Sequence, residues 1–338
     1  MAGRNQANVA VSVIVPARDA GPTLARTLAA LTGQELDQRF EVIVVDDGSR
    51  DDTAAIVSGF APAVTLVANE RSQGPGAARN RGAAVAHGPV LAFTDADCFP
   101  APGWLAHGLR ALREADLVQG RVAPDPSVAR TPFDRTLWVE DHGGFYQTAN
   151  LFVRRETFDA VGGFRDWALE RPHRRLATPD RRRARGARTP IGEDTLFAWS
   201  ARRLGARSAF AADALVHHAV VPGTVSDDMA DRWHWARDMA GLVALVPELR
   251  ERQLHRRVFF NAWTAQFDLA AAGLLAAALA RRPAPLLAGL PYGLRLAREA
   301  RRYDRYRALR FMVGMPAVEA VTLAGLITGS VAWRSLVL

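Results

Sequence analysis

The residues in this chain best suited to chemistry are carboxylates placed at the ends of apolar runs. Pro89-Val90-Leu91-Ala92-Phe93 has strand length and empties into Thr94-Asp95-Ala96-Asp97-Cys98, with Phe99-Pro100 following. In an extended segment residues i and i+2 share a face, so Asp95 and Asp97 can converge on one ligand. Two hard oxygen donors of this kind suit Mg2+ or Mn2+ shared with the phosphates of a substrate. An Asp-rich turn produces the same pattern with no ion involved. A second pair, Asp46-Asp47, closes the apolar run Phe40–Val45. A third, Glu193-Asp194, opens a segment in which Leu196, Trp199 and Leu204 face inward as on a helix. Acidic residues favour helix N-termini through the macrodipole, so this last pair also has a purely structural reading.

The elements that would position these groups alternate along the chain. Val11–Val15 reads as a buried strand ending at Pro16-Ala17-Arg18, and Leu24, Leu28 and Leu31 form a helical stripe after it. Phe40–Val45 is a second strand, and Ser49 or Asp51 can cap the helix that follows. Val64–Val67 is a third strand, followed by the glycine-punctuated loop Asn69–Gly76 and a helix of small residues. The backbone N–H groups of that loop and Arg79 can face an anion, and a structural ion pair explains Arg79 equally well. The loop is neither a Walker loop nor a Gly-x-Gly-x-x-Gly fingerprint, which disfavours a dinucleotide site. Alternation of this kind predicts an α/β fold with a mostly parallel, doubly wound sheet and helices on both faces. Ligands in such sheets bind outside the carboxyl ends of the strands. Pro16–Arg18, Asp46–Asp47 and Asp95–Asp97 all fall on that edge.

Four motifs together resemble the family 2 glycosyltransferases of the GT-A fold. They are Val-Ser-Val-Ile-Val-Pro-Ala-Arg-Asp, Val-Val-Asp-Asp-Gly-Ser-Arg-Asp-Asp-Thr, Gly-Pro-Gly-Ala-Ala-Arg-Asn-Arg-Gly and Phe-Thr-Asp-Ala-Asp-Cys, in order across roughly residues 9–220. The resemblance implies an inverting, metal-dependent transfer of a sugar from a nucleoside-diphosphate donor to an acceptor hydroxyl. It places Asp46 and Asp47 at the nucleotide, with Pro16, Arg18, Arg79 and Asp95 also on the donor side. It makes Asp95 and Asp97 the motif for a divalent cation, Mg2+ or Mn2+, with Asp97 the direct ligand. By the same resemblance Asp194 is the catalytic base and Glu193 its neighbour. His218, at the end of Ala214-Leu215-Val216-His217-His218, stands near the metal or diphosphate. Asn150 lies on the acceptor side, where a buried amide satisfying backbone groups is the equal alternative. Cys98 is a packing residue. Other readings are a non-catalytic, membrane-associated module that binds nucleotide sugars, and a nucleotidyltransferase. The second lacks a glycine- and basic-rich signature loop near the first strand and leaves Glu193-Asp194 unexplained.

Composition bounds the remainder. The chain has 338 residues, 49% apolar and 23% charged, as a folded protein does. Its net charge of +8 comes from arginine alone, since lysine is absent, and the arginines form no recognition motif for nucleic acid. A single cysteine precludes an intrachain disulfide and fits a reducing compartment. With no secretory signal visible, the expected location is cytoplasmic, or peripheral at the inner face of the cell membrane. The stretch 165–190 is crowded with arginine and reads as a solvated loop or as a lid over an anion.

A division into a glycosyltransferase domain, 1–225, and a helical region, 226–338, follows from the change of pattern near Ser226. Val258–Ala280 and Phe311–Trp333 are long enough to cross a bilayer, yet Asp268 and Glu319 interrupt them. Tyr292–Arg310 is rich in arginine and aromatics and suits an amphipathic helix on an anionic surface. Spanning, interfacial and soluble helices are all compatible with these segments. A membrane-facing C-terminus would agree with a glycan or lipid-linked acceptor of the cell envelope.

Overall fold

The computed structural model describes residues 8–166 and 191–338. The arginine-rich stretch 165–190 therefore lies almost wholly outside the described residues. The chain divides into two compact units, one of residues 1–127 and 136–219, the other of 128–135 and 220–338.

The first unit is built on one mixed sheet of eight strands. In chain order these are β1 (Val11–Ala17), β2 (Phe40–Asp46), β3 (Val64–Ala68), β4 (Val90–Phe93), β5 (Cys98–Pro100), β6 (Leu117–Pro124), β7 (Leu151–Arg154) and β8 (Ser208–His218). Their spatial order is β3-β2-β1-β4-β7-β6-β8-β5. The half from β3 to β4 is parallel, with Val13 beside Val42 and Ala92. β7 runs antiparallel to both β4 and β6, and β5 antiparallel to β8. This is the mostly parallel sheet with helices on both faces that the alternation predicts, with antiparallel pairing confined to its second half.

Both faces of the parallel half are covered, which is why its strands are continuous apolar runs and not alternating ones. Val11, Val13, Val15, Val42 and Val44 pack with Leu24, Leu28 and Leu31 of α1 (Gly21–Thr32), Val57 of α2 (Thr53–Ser58) and Trp104 of α4 (Trp104–Ala111). On the other face Ile43 and Val45 pack with Ala78 of α3 (Pro75–Val85). Phe93 adds an aromatic cluster there, 5.8 Å from Phe158 of α5 (Arg155–Val161) and 5.2 Å from Phe164. Phe164 in turn lies 4.8 Å from Phe197 of α6 (Glu193–Arg203). A core that carries the strands into both helix layers holds their carboxyl ends at fixed positions.

The second unit is helical. It contains α7 (Val225–Leu245), α8 (Leu249–Arg252), α9 (Ala262–Ala280), α10 (Leu290–Ala300) and α11 (Arg305–Trp333). Thr224 and Asp227 form a capping box at the start of α7, and Asn261 caps α9. The arginine-rich Tyr292–Arg310 segment is thus two helices and not one, because the chain turns between Ala300 and Asp304, whose carboxylate caps α11. Helices α9 and α11 are long and apolar enough to cross a membrane by length and composition.

Gly108 offers a test of how tightly the first unit is packed. A Cβ there would come within 2.2 Å of the Phe152 ring, which is wholly buried on β7. Alanine would raise helix propensity by about 1 kcal/mol, but forcing a methyl into a filled core costs about 1–3 kcal/mol. The clash should win, so Gly108→Ala is expected to lower the unfolding midpoint in a denaturant melt. An unchanged or raised midpoint would show that the ring yields.

Candidate active site

The site is assembled at the carboxyl edge of β1, β2 and β4. Asp46 is the last residue of β2, beside Ala17 of β1 and Ala68 of β3. Asp47 follows, its N–H donating to the Ala17 carbonyl at 2.8 Å. Its buried carboxylate is surrounded by donors: Asn69 Nδ2 at 2.7 Å, Ser72 Oγ at 2.7 Å, and the N–H groups of Gln73 and Gly74 at 2.8 Å each. The loop between β3 and α3 is therefore folded around one aspartate. Gly74 can close this turn because its φ of 93° is open to glycine. Arg18, exposed after Pro16 at the end of β1, donates to Ser72 Oγ at 3.0 Å. Asp46, by contrast, accepts the Ser49 N–H at 2.9 Å. Sequence reasoning treated the two aspartates as equivalent. The structure gives Asp47 to the loop and leaves Asp46 facing the edge with lighter duties.

Asp95 and Asp97 sit in a turn between β4 and β5, with the Cys98 N–H donating to the Asp95 carbonyl at 3.1 Å. This corrects the expectation of an extended segment: strand pleating does not align the two side chains. β5 pairs with β8 so that Cys98 lies opposite His218. A ligand atom each from Asp97, Cys98 and His218 thereby falls within 4.8 Å of the others. His218 Nε2 is 3.5 Å from Asp97 Oδ2. Its Nδ1 is 2.8 Å from the Ala219 carbonyl, which leaves Nε2 as the ring nitrogen turned toward Asp97. Burial pushes the Cys98 thiol well above its usual range, and the two nearby carboxylates push the same way. A protonated thiol is a poor ligand, which keeps Cys98 in its packing role. Burial also raises the Asp97 carboxyl, with His218 opposing and Asp95 adding to the rise. The Asp97 carboxylate and the His218 Nε2, beside Asp95, form a donor set that fits Mn2+ or Mg2+, the nitrogen favouring the softer Mn2+.

Glu193 and Asp194 open α6, after Gly192 in the left-handed conformation. Asp194 Oδ1 accepts the Thr195 N–H at 2.7 Å and Oδ2 the Thr148 N–H at 3.2 Å. Burial, reinforced by the neighbouring Glu193 charge, pushes the Asp194 carboxyl up to about 7, against the pull of Arg79 and the two backbone donors. Arg79 joins the two halves of the site. It donates through one terminal nitrogen to Asp95 at 2.7 Å and through the other to Glu193 at 2.9 Å, and is itself buried. Of its two sequence readings, diphosphate ligand and structural ion pair, the second is what the contacts display.

Asn150 does not belong to the site. It is fully buried, accepts from Trp104 Nε1 at 2.8 Å, and donates to the carbonyls of Arg121 and Ala214 at 2.8 and 2.7 Å. Its hydrogen-bonding capacity is spent on the fold, so its acceptor-side role is withdrawn in favour of the buried-amide alternative. Sequence reasoning also missed Thr148. Its N–H reaches Asp194 because Thr148–Asn150 is a 3-10 turn pinned from below, where Thr94 Oγ1 donates to the Ala149 carbonyl at 2.9 Å. A backbone donor leaves no mark in residue type.

Comparison with known proteins finds similarity to glycosyltransferases. Residues 12–165 match the family model described as Glycosyl transferase family 2. The glycosyltransferase AglE of Haloferax volcanii is 33% identical over 168 residues, covering 46% of this chain and 55% of AglE. The succinoglycan biosynthesis protein ExoU of Rhizobium meliloti is 37% identical over 98 residues, 28% of each chain. The match thus spans about half or less of these relatives. Among solved structures, the mannosyltransferase PcManGT from Pyrobaculum calidifontis, in complex with GDP-Man and Mn2+, aligns with a TM-score of 0.58 at 21% identity, covering 94% of this chain and 86% of that one. S. aureus TarS 1–349 in complex with UDP aligns with a TM-score of 0.50 at 20% identity, covering 94% and 92%. At such identities the likeness establishes the GT-A-like fold.

The hub at Asp47 gives a prediction. Asp47→Asn keeps the volume but turns an amide N–H2 toward groups that are themselves donors. We expect a loss of about 2–3 kcal/mol and faster proteolytic cleavage within residues 69–74. Equal stability and equal cleavage would show that the loop holds without the carboxylate.

Proposed function

We propose that the protein is an inverting glycosyltransferase that moves a sugar from a nucleoside diphosphate to an acceptor hydroxyl. The observation that carries this reading is the Asp95–Arg79–Glu193 bridge. It joins the turn bearing Asp97, next to His218, to the helix bearing Asp194. A leaving-group side and a base side held in one frame are what a single displacement needs. Asp97 and His218 would hold the divalent cation, which when bound neutralises charge on the departing diphosphate. Asp46 would meet the nucleotide, and Arg18 with the loop shaped by Asp47 would border the donor.

Asp194 would act on the acceptor. Its carboxylate takes the proton as the hydroxyl oxygen bonds to the anomeric carbon and the bond from that carbon to the phosphate oxygen breaks. The electron pair of the broken bond leaves with the nucleoside diphosphate. Attack opposite the leaving group inverts the centre, and no enzyme nucleophile enters. The Thr148 and Thr195 N–H groups fix the carboxylate's orientation. The GDP-Man and Mn2+ in PcManGT and the UDP in TarS support a nucleotide-sugar donor and a cation here. The succinoglycan role named for ExoU supports a glycan acceptor of the cell envelope, and a cytoplasmic location or the inner membrane face supplies such donors.

Thermal unfolding with a panel of nucleoside diphosphates, each with and without Mn2+, tests the donor side. A ligand at a hundred times its Kd stabilises the native state by about 2.7 kcal/mol. One nucleotide should raise the midpoint only with Mn2+, and Asp97→Ala should remove that rise. No shift with any nucleotide would end this reading and favour a different ligand for the same edge.

The base has its own test. Asp194→Asn should keep the nucleotide shift and lose about 10²–10⁴-fold in turnover. Because Asp194 works as the carboxylate and its free-enzyme carboxyl sits at about 7, kcat/KM of the native enzyme should fall as pH drops below about 7. A profile flat from pH 5 to pH 8 (roughly the range in which such a base titrates) would remove Asp194 from that role.

A further inference from the structure

The two apolar helices of the second unit differ in how much of them is covered. α11 is packed along one face, while Val313, Ile327 and Val331 on it are exposed. Gly325 approaches Ala236 and the Trp233 carbonyl so closely that an added Cβ would lie 2.9 and 3.1 Å away, and at Gly329 it would lie 2.4 Å from the Arg237 carbonyl. Its partner α7 carries Asp227, Asp228, Asp231, Arg232, Arg237 and Asp238. A spanning α11 would take that charged helix into hydrocarbon, which lipid does not tolerate.

α9 has little such cover. Its buried residues are Thr264 and Gly273, the latter against Pro285 of the 3-10 turn Ala284–Gly289. Beyond Asp268 the helix has no charge until Arg281, and after Arg282 none appears until Arg295. Along this hairpin Leu274, Leu275, Leu279, Leu287, Leu290 and Leu294 are each 56–77% exposed. From Leu269 to Ala280 α9 is about 18 Å long, against roughly 30 Å of bilayer hydrocarbon. The whole helix is long enough to cross, but Asp268 leaves only this shorter uncharged stretch, which suits a segment lying in the interface.

The charge around the hairpin selects the occupant. Arg281 and Arg282 stand at one end, and Arg298, Arg301, Arg302, Arg305 and Arg307 follow at the other, all exposed. Two acids accompany them, Glu299 paired with Arg302 and Asp304 with Arg307. A leucine surface bounded at both ends by arginine matches lipid tails below and anionic headgroups beside them.

We propose that α9, the 3-10 turn and α10 form an in-plane docking surface for an anionic lipid bilayer, with the leucines in the acyl boundary and the arginines on lipid phosphates.

The full chain should be sedimented with vesicles of phosphatidylcholine alone and of phosphatidylcholine with phosphatidylglycerol, without nucleotide, so that failure of the transfer reading does not affect the result. Binding should favour the anionic vesicles and weaken with salt. Arg298→Gln with Arg301→Gln should weaken anionic binding about 30-fold. Leu279→Asp with Leu287→Asp should weaken binding to both vesicles by about 100-fold or more, with an unchanged melting curve showing that the fold survives. Absence of vesicle binding would overturn the proposal. So would tight binding to neutral vesicles indifferent to salt, the mark of a spanning helix. A detergent-free dimer in light scattering that the leucine variant converts to monomer would assign the face to a second copy instead.

Discussion

The site depends on one buried cation. Arg79 is 4% exposed and would be costly to bury alone, since removing a guanidinium from water is repaid only by close, well-directed anions. Asp95 and Glu193 are those anions, and they come from the two sides of the site. The ion pairs therefore act as a spacer: the turn after β4 and the first residue of α6 can stand only where one guanidinium reaches both. Burial lowers the Arg79 pKa and the two carboxylates more than restore it, so the cation persists. Charge balance explains the place of Glu193 beside Asp194. It neutralises Arg79, and in doing so it denies Asp194 much of the stabilisation that a free arginine would give. The raised Asp194 carboxyl is the consequence.

The helix carrying Arg79 is itself located by an aspartate. Asp47 gathers Asn69, Ser72, Gln73 and Gly74 in front of α3, and the carboxylate lies where the helix dipole welcomes negative charge. Gly82 on the same helix allows α3 to touch the sheet, since a Cβ there would meet Ile14 at 2.6 Å. Side-chain anions thus order the edge in sequence: Asp47 places α3, α3 places Arg79, and Arg79 places Asp95 and Glu193. Each step trades an exposed, mobile loop for a satisfied buried group, which is why so many polar residues are spent where no substrate would touch them.

Much of this was legible in the sequence, for identifiable reasons. Strands buried on both faces must be continuous apolar runs, so β1, β2 and β4 announced themselves, and their ends marked the edge. Asp95, Asp97, Asp194 and His218 were singled out from type and motif. What escaped were matters of pairing. The register of β5 on β8, which sets Cys98 opposite His218, joins residues 120 apart in a sheet whose neighbour order is not chain order. Thr148 contributes a backbone N–H, which every residue but proline has. Asn150 had two equal readings because residue type does not distinguish an amide that faces substrate from a buried one with three partners. Residues 128–135 belong to the second unit, where the Arg135 and Val221 backbones pair, although they interrupt the first in chain order.

Hydropathy alone also failed to separate α9 from α11, and the reason lies in glycine. Both helices are apolar around much of their circumference, so no amphipathic stripe reveals which side is covered. In α11, Gly314, Gly325 and Gly329 lie on one face with Val318, Thr322 and Leu326, all buried. Small residues at such spacing let another backbone approach, and close approach brings many dispersion contacts for little side-chain entropy. In α9 Gly273 alone plays that part, and from Leu269 onward leucine and alanine fill the rest of its length. Equal hydropathy therefore conceals unequal cover: α11 is seated along one face, and α9 is covered hardly at all. A helix with a glycine seam has its partner written into it, while a leucine-rich helix without one keeps its apolar surface for something outside the chain.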